Sequence, residues 1–291
     1  MTRRRADRAA TSSALARLLL VAAGLVFLAG LQLTVFPLRT ADWFAWTVQP
    51  PMTAVFLGAA YWSSAVLEVA GARAAGWHRA RLAVGSVLVF TTLTLVVTLV
   101  HLDRFHVGDG HPMSARAVAW GWLVIYAGVP VALAAVGWQE MRRARAEGAA
   151  VTGSALPVAL RTLLLVLAVL LVGTGVVLLV APGSASTLWS WQLTPLTARA
   201  VGAWLVGLGW AAGHAGLVDE VEAVRPVGLT GVAFVVLQAV ALVRYGGDLT
   251  GGMAAVGYGV VLLALGVASG WILALGHPSR PGGPPTRRHR A

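Results

Sequence analysis

The chain has no cysteine, no lysine and no asparagine, and only two isoleucines in 291 residues. Without cysteine there is no disulfide, no thiolate nucleophile, no iron–sulfur cluster and no thiolate zinc site. Charge is scarce: charged residues make up 11% of the chain, against ~25% in an ordinary soluble domain. Common catalytic signatures are missing too, with no HExxH, no GxSxG at a strand–helix elbow and no P-loop. No ionisable residue falls near the middle of any long apolar stretch, the depth at which ion-coupled transporters place their coupling groups. The skew toward Ala, Gly, Val and Arg looks like GC-rich coding and points to a bacterium.

What is present is apolar. Hydrophobic residues reach 58% and mean hydropathy is +0.77, well outside the soluble range. They gather into runs of ~20 residues rather than amphipathic periods, the pattern of membrane spans. Eight spans are predicted, near 15–36, 52–72, 82–102, 115–138, 160–180, 197–217, 226–245 and 252–276. The third is 21 residues, roughly 31 Å as a helix, which matches a hydrocarbon core. The expected fold class is therefore all-α integral membrane with eight transmembrane helices.

The formal charge is +11, carried by 22 arginines. They lie in short loops and tails beside apolar spans, where they orient helices and meet anionic lipid heads, so nucleic acid is not an expected partner. With the N-terminus inside, seventeen arginines are cytoplasmic and five are outside: Arg39, Arg104, Arg116, Arg199 and Arg244. This bias predicts a bacterial plasma (inner) membrane protein with both termini cytoplasmic. One loop dissents: VDEVEAVR (218–225) is acidic, although acidic residues weigh little in the rule. The first 36 residues imitate a signal peptide, with RRR before an apolar run.

An internal repeat argues that this first span is kept. LARLLLVAAGLVFLAGLQLTVFP (15–37) aligns without a gap on LRTLLLVLAVLLVGTGVVLLVAP (160–182), pairing Gly30 with Gly175 and Pro37 with Pro182. The same offset of 145 places Trp46 on Trp191 and Pro50 on Pro195. At offset 144, Thr53-Ala54 meets Thr197-Ala198, Arg81 meets Arg225 and Phe90 meets Phe234. Each half holds four spans, and an even number returns the chain to its starting side. The halves are thus expected to be parallel, related by an axis along the membrane normal. The expected organisation is a four-helix repeat over 1–138 with a basic tail 1–14, a cytoplasmic linker 139–159, a second four-helix repeat over 160–276, and a disordered basic tail 277–291.

The phrase WxWxLTPLxARxxGAW (Trp189 to Trp204), together with TLVHLDRFH (98–106) and WGWLVIYAGVP (120–130), resembles a signature of uncharacterised bacterial polytopic membrane proteins. The resemblance spans most of the chain and implies an eight-helix membrane fold. That family carries no assigned activity or site residues, so it implies no chemistry.

Trp43, Phe44 and Trp46, and their counterparts Trp189 and Trp191, fall before the second and sixth spans. Indoles favour the headgroup level, so the plain reading is an interfacial belt, with ligand binding as the alternative. Small-xxx-small pairs (Ala59 and Ser63, Ala60 and Ser64, Ala203 and Gly207, Gly209 and Gly213) mark the second and sixth spans as closely packed. Gly266 and Gly270 offer the eighth span the same seam.

Ionisable side chains concentrate in HLDRFHVGDGH (101–111). A solvated loop with an Asp103–Arg104 pair is the bland reading. A divalent metal held by His101, Asp103, His106 and His111 is the sharper one. Thr91, Thr94, Thr98 and His101 share one helical face, which either lines a wet path or packs a neighbour with its hydroxyls on the preceding turn. In the second half the equivalent positions are Val235, Gln238, Leu242 and Tyr245, so a site would belong to the first half, with Trp120, Trp122 and Tyr126. Glu68 and His214 lie at similar depth in the second and sixth spans, where ionisable groups are functional candidates, and a contact between them is one option. His101 and His214 lie at opposite ends, so they cannot share a haem iron.

Three functions follow. The first is a non-enzymatic scaffold or accessory protein whose partners are membrane lipids and other membrane proteins. The second is a small-solute transporter or channel built from two parallel repeats. The third is an outward-facing metal-dependent enzyme.

Overall fold

A computed structural model describes residues 11–147, 153–185 and 189–276. The tail residues 1–10 and 277–291, and linker residues 148–152, lie outside the described residues. Among the described residues the fold is all-helical, with eight helices long and apolar enough to cross a membrane, an architecture consistent with a multi-pass membrane protein. These are α1 (Ser13–Val35), α2 (Pro51–Ala72), α3 (Trp77–Val100), α4 (Met113–Glu147), α5 (Val158–Val180), α6 (Pro195–Val218), α7 (Val221–Tyr245) and α8 (Gly252–Leu275).

All eight expected spans are present, and several helices outrun them. α4 has 35 residues, about 52 Å, and continues through residues 139–147, where the sequence predicts a linker. Polar surroundings do not stop a helix, and Glu140 gives this extension a purpose. Its Oε2 accepts from the Ser12 backbone N–H at 3.3 Å, satisfying a free donor at the start of α1, and its Oε1 accepts from Arg143 at 3.1 Å. α3 likewise starts five residues before the apolar run. α7 begins at Val221 and tolerates Pro226 inside the helix.

α2 and α6 are the most enclosed helices, with 67% and 61% of their apolar windows buried, against 22–33% for α1, α4, α5, α7 and α8. α1 packs on α2, and α5 on α6; α3 packs on α4, and α7 on α8. Between the halves α2 packs on α7, and α3 on α6. Close backbone approach builds the α5–α6 seam: a Cβ on either Gly175 or Gly202 would lie 2.7 Å from the other's carbonyl oxygen. Gly209 and Gly213 also face α5, while Gly207 faces Phe90 of α3. The pair Gly266 and Gly270 is not a close seam: a Cβ on Gly266 would make ordinary contact with Val235 of α7 at 3.6 Å, and one on Gly270 would meet nothing within 4 Å.

The bundle has a tryptophan end, formed by the loops before α2, α4, α6 and α8, and a terminal end, where α1 starts. One large apolar cluster runs through both halves and includes the tryptophan end. Toward the terminal end the core divides into two clusters, one around Leu19, Val84 and Leu133, the other around Leu164, Val224 and Ile272. The acidic loop has its own structural use there. Asp219, in a left-handed conformation after α6, accepts from the Leu156 N–H at 2.9 Å and from Arg161 at 3.2 Å. Glu220 pairs with His78.

Candidate functional site

The repeated tryptophan phrase is core, not belt. Trp46 is 3% exposed and Trp191 0%, with Phe44 and Trp189 buried beside them; Trp43, at 40%, is the member placed as an interfacial residue would be. The reason is aromatic packing. Trp46 lies against Phe44, Phe105 and Trp122 at centroid distances of 4.8, 5.2 and 4.9 Å. Trp191 lies against Trp189, Tyr258 and Phe56 at 5.0, 5.4 and 5.6 Å. Its indole N–H donates to Thr53 Oγ1 of α2 at 2.9 Å, so the second phrase locks onto the first half. Hydropathy and position cannot separate an indole at an interface from one folded beneath it.

The threonine face is packed. Thr91, Thr94 and Thr98 are 6%, 7% and 1% exposed. Thr91 Oγ1 donates to Val87 O at 2.7 Å and Thr98 Oγ1 to Thr94 O at 2.8 Å, each satisfying its hydroxyl on the preceding turn. Thr98 Oγ1 also accepts from the Trp122 indole at 3.0 Å, and the Tyr61 and Tyr126 hydroxyls bond at 2.8 Å. Trp122 and Tyr126 thus join this cluster, while Trp120 is exposed. Between them is a cavity of about 10 Å³, lined by Trp46, Tyr61, Phe90, Thr94, Thr98 and Trp204 among others, roughly the room for one water. Trp46 Nε1 and Thr94 Oγ1 are buried there without a hydrogen-bond partner.

The 101–111 loop does not gather its four proposed ligands. His101 Nε2 accepts from Arg199 Nη1 of α6 at 2.7 Å, and Asp103 pairs with Arg104 at 3.0 Å. His106, 3% exposed, uses both ring nitrogens: Nδ1–H donates to Phe44 O at 2.8 Å, and Nε2 accepts from Thr47 at 3.1 Å. His111 lies against its ring at 4.4 Å. Among the described residues no three His, Asp or Glu side chains form a metal-binding group. Burial, the larger effect, and the Arg199 guanidinium hold the His101 imidazole below its ordinary pKa. Burial lowers His106 as well, against the opposing pull of the Phe44 carbonyl.

Glu68 is 1% exposed; its Oε1 has a long contact with Ser64 Oγ at 3.5 Å, and its Oε2 has no partner. His214 is not among its partners. It lies instead near Gly85 of α3 and Trp210 of α6, with Nδ1 unbonded.

Several connectors were invisible in the sequence. Gln238, 0% exposed, donates to Phe56 O at 3.2 Å and accepts from Tyr258 at 2.9 Å, tying α7 to α2 and α8. Asp248 accepts from the Met52 N–H at 3.0 Å, an anion at the start of α2 where Pro50 supplies no capping side chain. α6 caps itself, through a reciprocal Thr194–Thr197 box. Comparison of the chain with protein-family models, with curated proteins and with solved structures finds no match in any of the three.

Proposed function

We propose that this is a non-enzymatic scaffold or accessory protein of the bacterial plasma membrane, built from two parallel four-helix repeats, with lipids and other membrane proteins as partners. The observation that carries the reading is the packed first-half interior: Thr91 and Thr98 bond their hydroxyls to the preceding turn, and the cavity beside Thr94 measures about 10 Å³, room for one water. The repeat, with halves meeting near residues 139–159, draws support from matched packing: α1 on α2 parallels α5 on α6, and α2 on α7 parallels α6 on α3.

The orientation with both termini cytoplasmic draws support from the five arginines assigned outside. Each has a local partner: Arg39 has Asp42, Arg104 has Asp103, Arg116 has Asp109, Arg199 has Leu179 O and His101, and Arg244 has Thr34 O. These five are used structurally, so they say little against a positive-inside arrangement.

A second reading, a small-solute transporter or channel, draws on the unpartnered atoms Trp46 Nε1, Thr94 Oγ1 and Glu68 Oε2 along the first-half interior. The absence of cysteine makes one experiment decisive. Single cysteines at Asp109, Arg145, Thr91, Thr94, Thr98 and Val96 are treated with a membrane-impermeant thiol reagent, in intact cells and in inside-out vesicles. Asp109→Cys is expected to label only in cells and Arg145→Cys only in vesicles; the opposite pattern overturns the orientation. Thr91→Cys, Thr94→Cys and the apolar-facing control Val96→Cys are expected to label in neither. Labelling of Thr94→Cys from outside, with Val96→Cys silent, would replace the scaffold reading with transport.

A further inference from the structure

At the terminal end, where the shared core has divided in two, a groove of about 280 Å³ opens between the α2–α3 turn and the start of α7. Arg73, Arg79 and Arg225 line it, from the end of α2, the first turn of α3 and α7, together with Glu222. No carboxylate among the described residues comes within ion-pairing distance of these three guanidiniums. Glu222 stands in the first turn of α7, where the helix dipole favours it, and leaves the groove with a net charge of two positive. The neighbouring Glu220 is engaged by His78.

The groove is basic on one side and apolar on the other. Ala70 lies on the last turn of α2, before its capping residue Arg73, and Leu229 lies one turn beyond Arg225 on α7, each farther from the bundle's end and toward its apolar span. Leu229 is 42% exposed. A soluble phosphate compound has no use for that apolar wall. A phospholipid has use for both parts: its phosphate oxygens accept from guanidinium forks, and its acyl chains cover Ala70, Pro226 and Leu229.

We propose that this groove is a binding site for an anionic phospholipid of the cytoplasmic leaflet, with Arg73, Arg79 and Arg225 holding the headgroup phosphate. It rests on the orientation proposed above, and it gives the general expectation of lipid partners a place and a chemistry. The second half lacks the equivalent arginines: at offset 144, Arg73 and Arg79 map to Leu217 and Ala223. One site per chain is therefore expected.

The test uses the full-length protein purified in a zwitterionic detergent, with lipid adducts counted by native mass spectrometry. Dioleoyl phosphatidylglycerol is titrated against dioleoyl phosphatidylcholine, for the unaltered chain, for Arg73→Gln/Arg225→Gln, and for the control Arg142→Gln/Arg145→Gln on the α4 extension. One tightly held phosphatidylglycerol is expected on the unaltered chain and on the control. The groove variant should bind it more weakly by about fivefold per arginine removed, on the order of 25-fold in all. Equal binding of the two lipids, or an equal loss in the control, would sink the proposal. So would inorganic phosphate at millimolar concentration displacing the lipid, which would make the groove a soluble-phosphate site. Gel filtration of each variant separates lost affinity from misfolding. Because lipid counting in detergent is blind to sidedness, labelling of Ala75→Cys in cells and in inside-out vesicles tests the orientation separately. Labelling only from outside would move the site to the other leaflet and overturn the leaflet assignment, whatever the lipid count.

Discussion

Trp191 shows how one side chain can join the halves: its ring is enclosed by Phe56, Trp189 and Tyr258, and its N–H is bonded to Thr53. Trp191→Ala should therefore destabilise the protein by ~3–5 kcal/mol, the cost of truncating a buried aromatic, while Trp43→Ala, at a half-exposed position, should cost under ~1 kcal/mol. Thermal unfolding in detergent, followed by tryptophan fluorescence, reads both; equal losses would return Trp191 to the interface. The two bonded histidines make a pH prediction. His101 and His106 are held below their ordinary pKa, His101 by burial and then Arg199, His106 by burial. The folded chain thus binds fewer protons than the unfolded one. Stability from these groups is present above the unfolded value of ~6.5 and is lost as pH falls through the folded values. The melting temperature should fall between pH 7 and pH 5, and His101→Gln/His106→Gln should flatten that fall. A profile rising toward acid, or one unchanged by the double substitution, would contradict the assignment.

At the scale of elements, the α5–α6 crossing depends on two facing glycines, and the sequence pattern alone does not say which glycines face anything. Gly202→Leu should cost at least ~1–3 kcal/mol of overpacking, because the added side chain meets the Gly175 backbone. Gly270→Leu should stay within ~0.5 kcal/mol, because nothing lies near that position. Yield and melting temperature of the two variants test the contrast, and matching losses would refute it. This contrast also marks what was legible. Eight spans could be read because each is a run of apolar residues as long as a bilayer core, a one-dimensional property. The ends of α3 and α4 could not, since a helix leaving the apolar layer continues wherever partners such as Glu140 with Ser12 and Arg143 receive it. The threonine face was visible by its spacing, yet spacing is indifferent to whether its hydroxyls meet water or the turn before them. Gln238 looked like the loss of that stripe in the second half, although it bonds both α2 and α8.

For the whole molecule, the packing makes the two halves mutually dependent. α2 packs on α7 and α3 on α6, and both pairs cross from one half to the other. Phe90 of α3 stacks on Trp204 of α6 at 3.8 Å, and Phe56 of α2 meets Phe234 of α7 at 5.9 Å. Polar ties cross as well: Arg244 to Thr34, Asp248 to Met52, Arg199 to His101 and Trp191 to Thr53. Two halves held in this way should survive loss of the covalent link, because each of these contacts is made by residues within 11–147 and 153–276. A chain ending at Glu147, co-expressed with one starting at Gly153 preceded by an initiator Met and carrying the only affinity tag, should co-purify as an equimolar complex. Either piece expressed alone should aggregate or be degraded, since α2, α3, α6 and α7 would then present to lipid faces shaped for each other. Phe90→Ala with Trp204→Ala should weaken the recovered complex, whereas Val96→Ala, at an exposed position on α3, should not. If each piece were stable alone and the two failed to associate, the halves would be independent bundles and the shared-core account would fall.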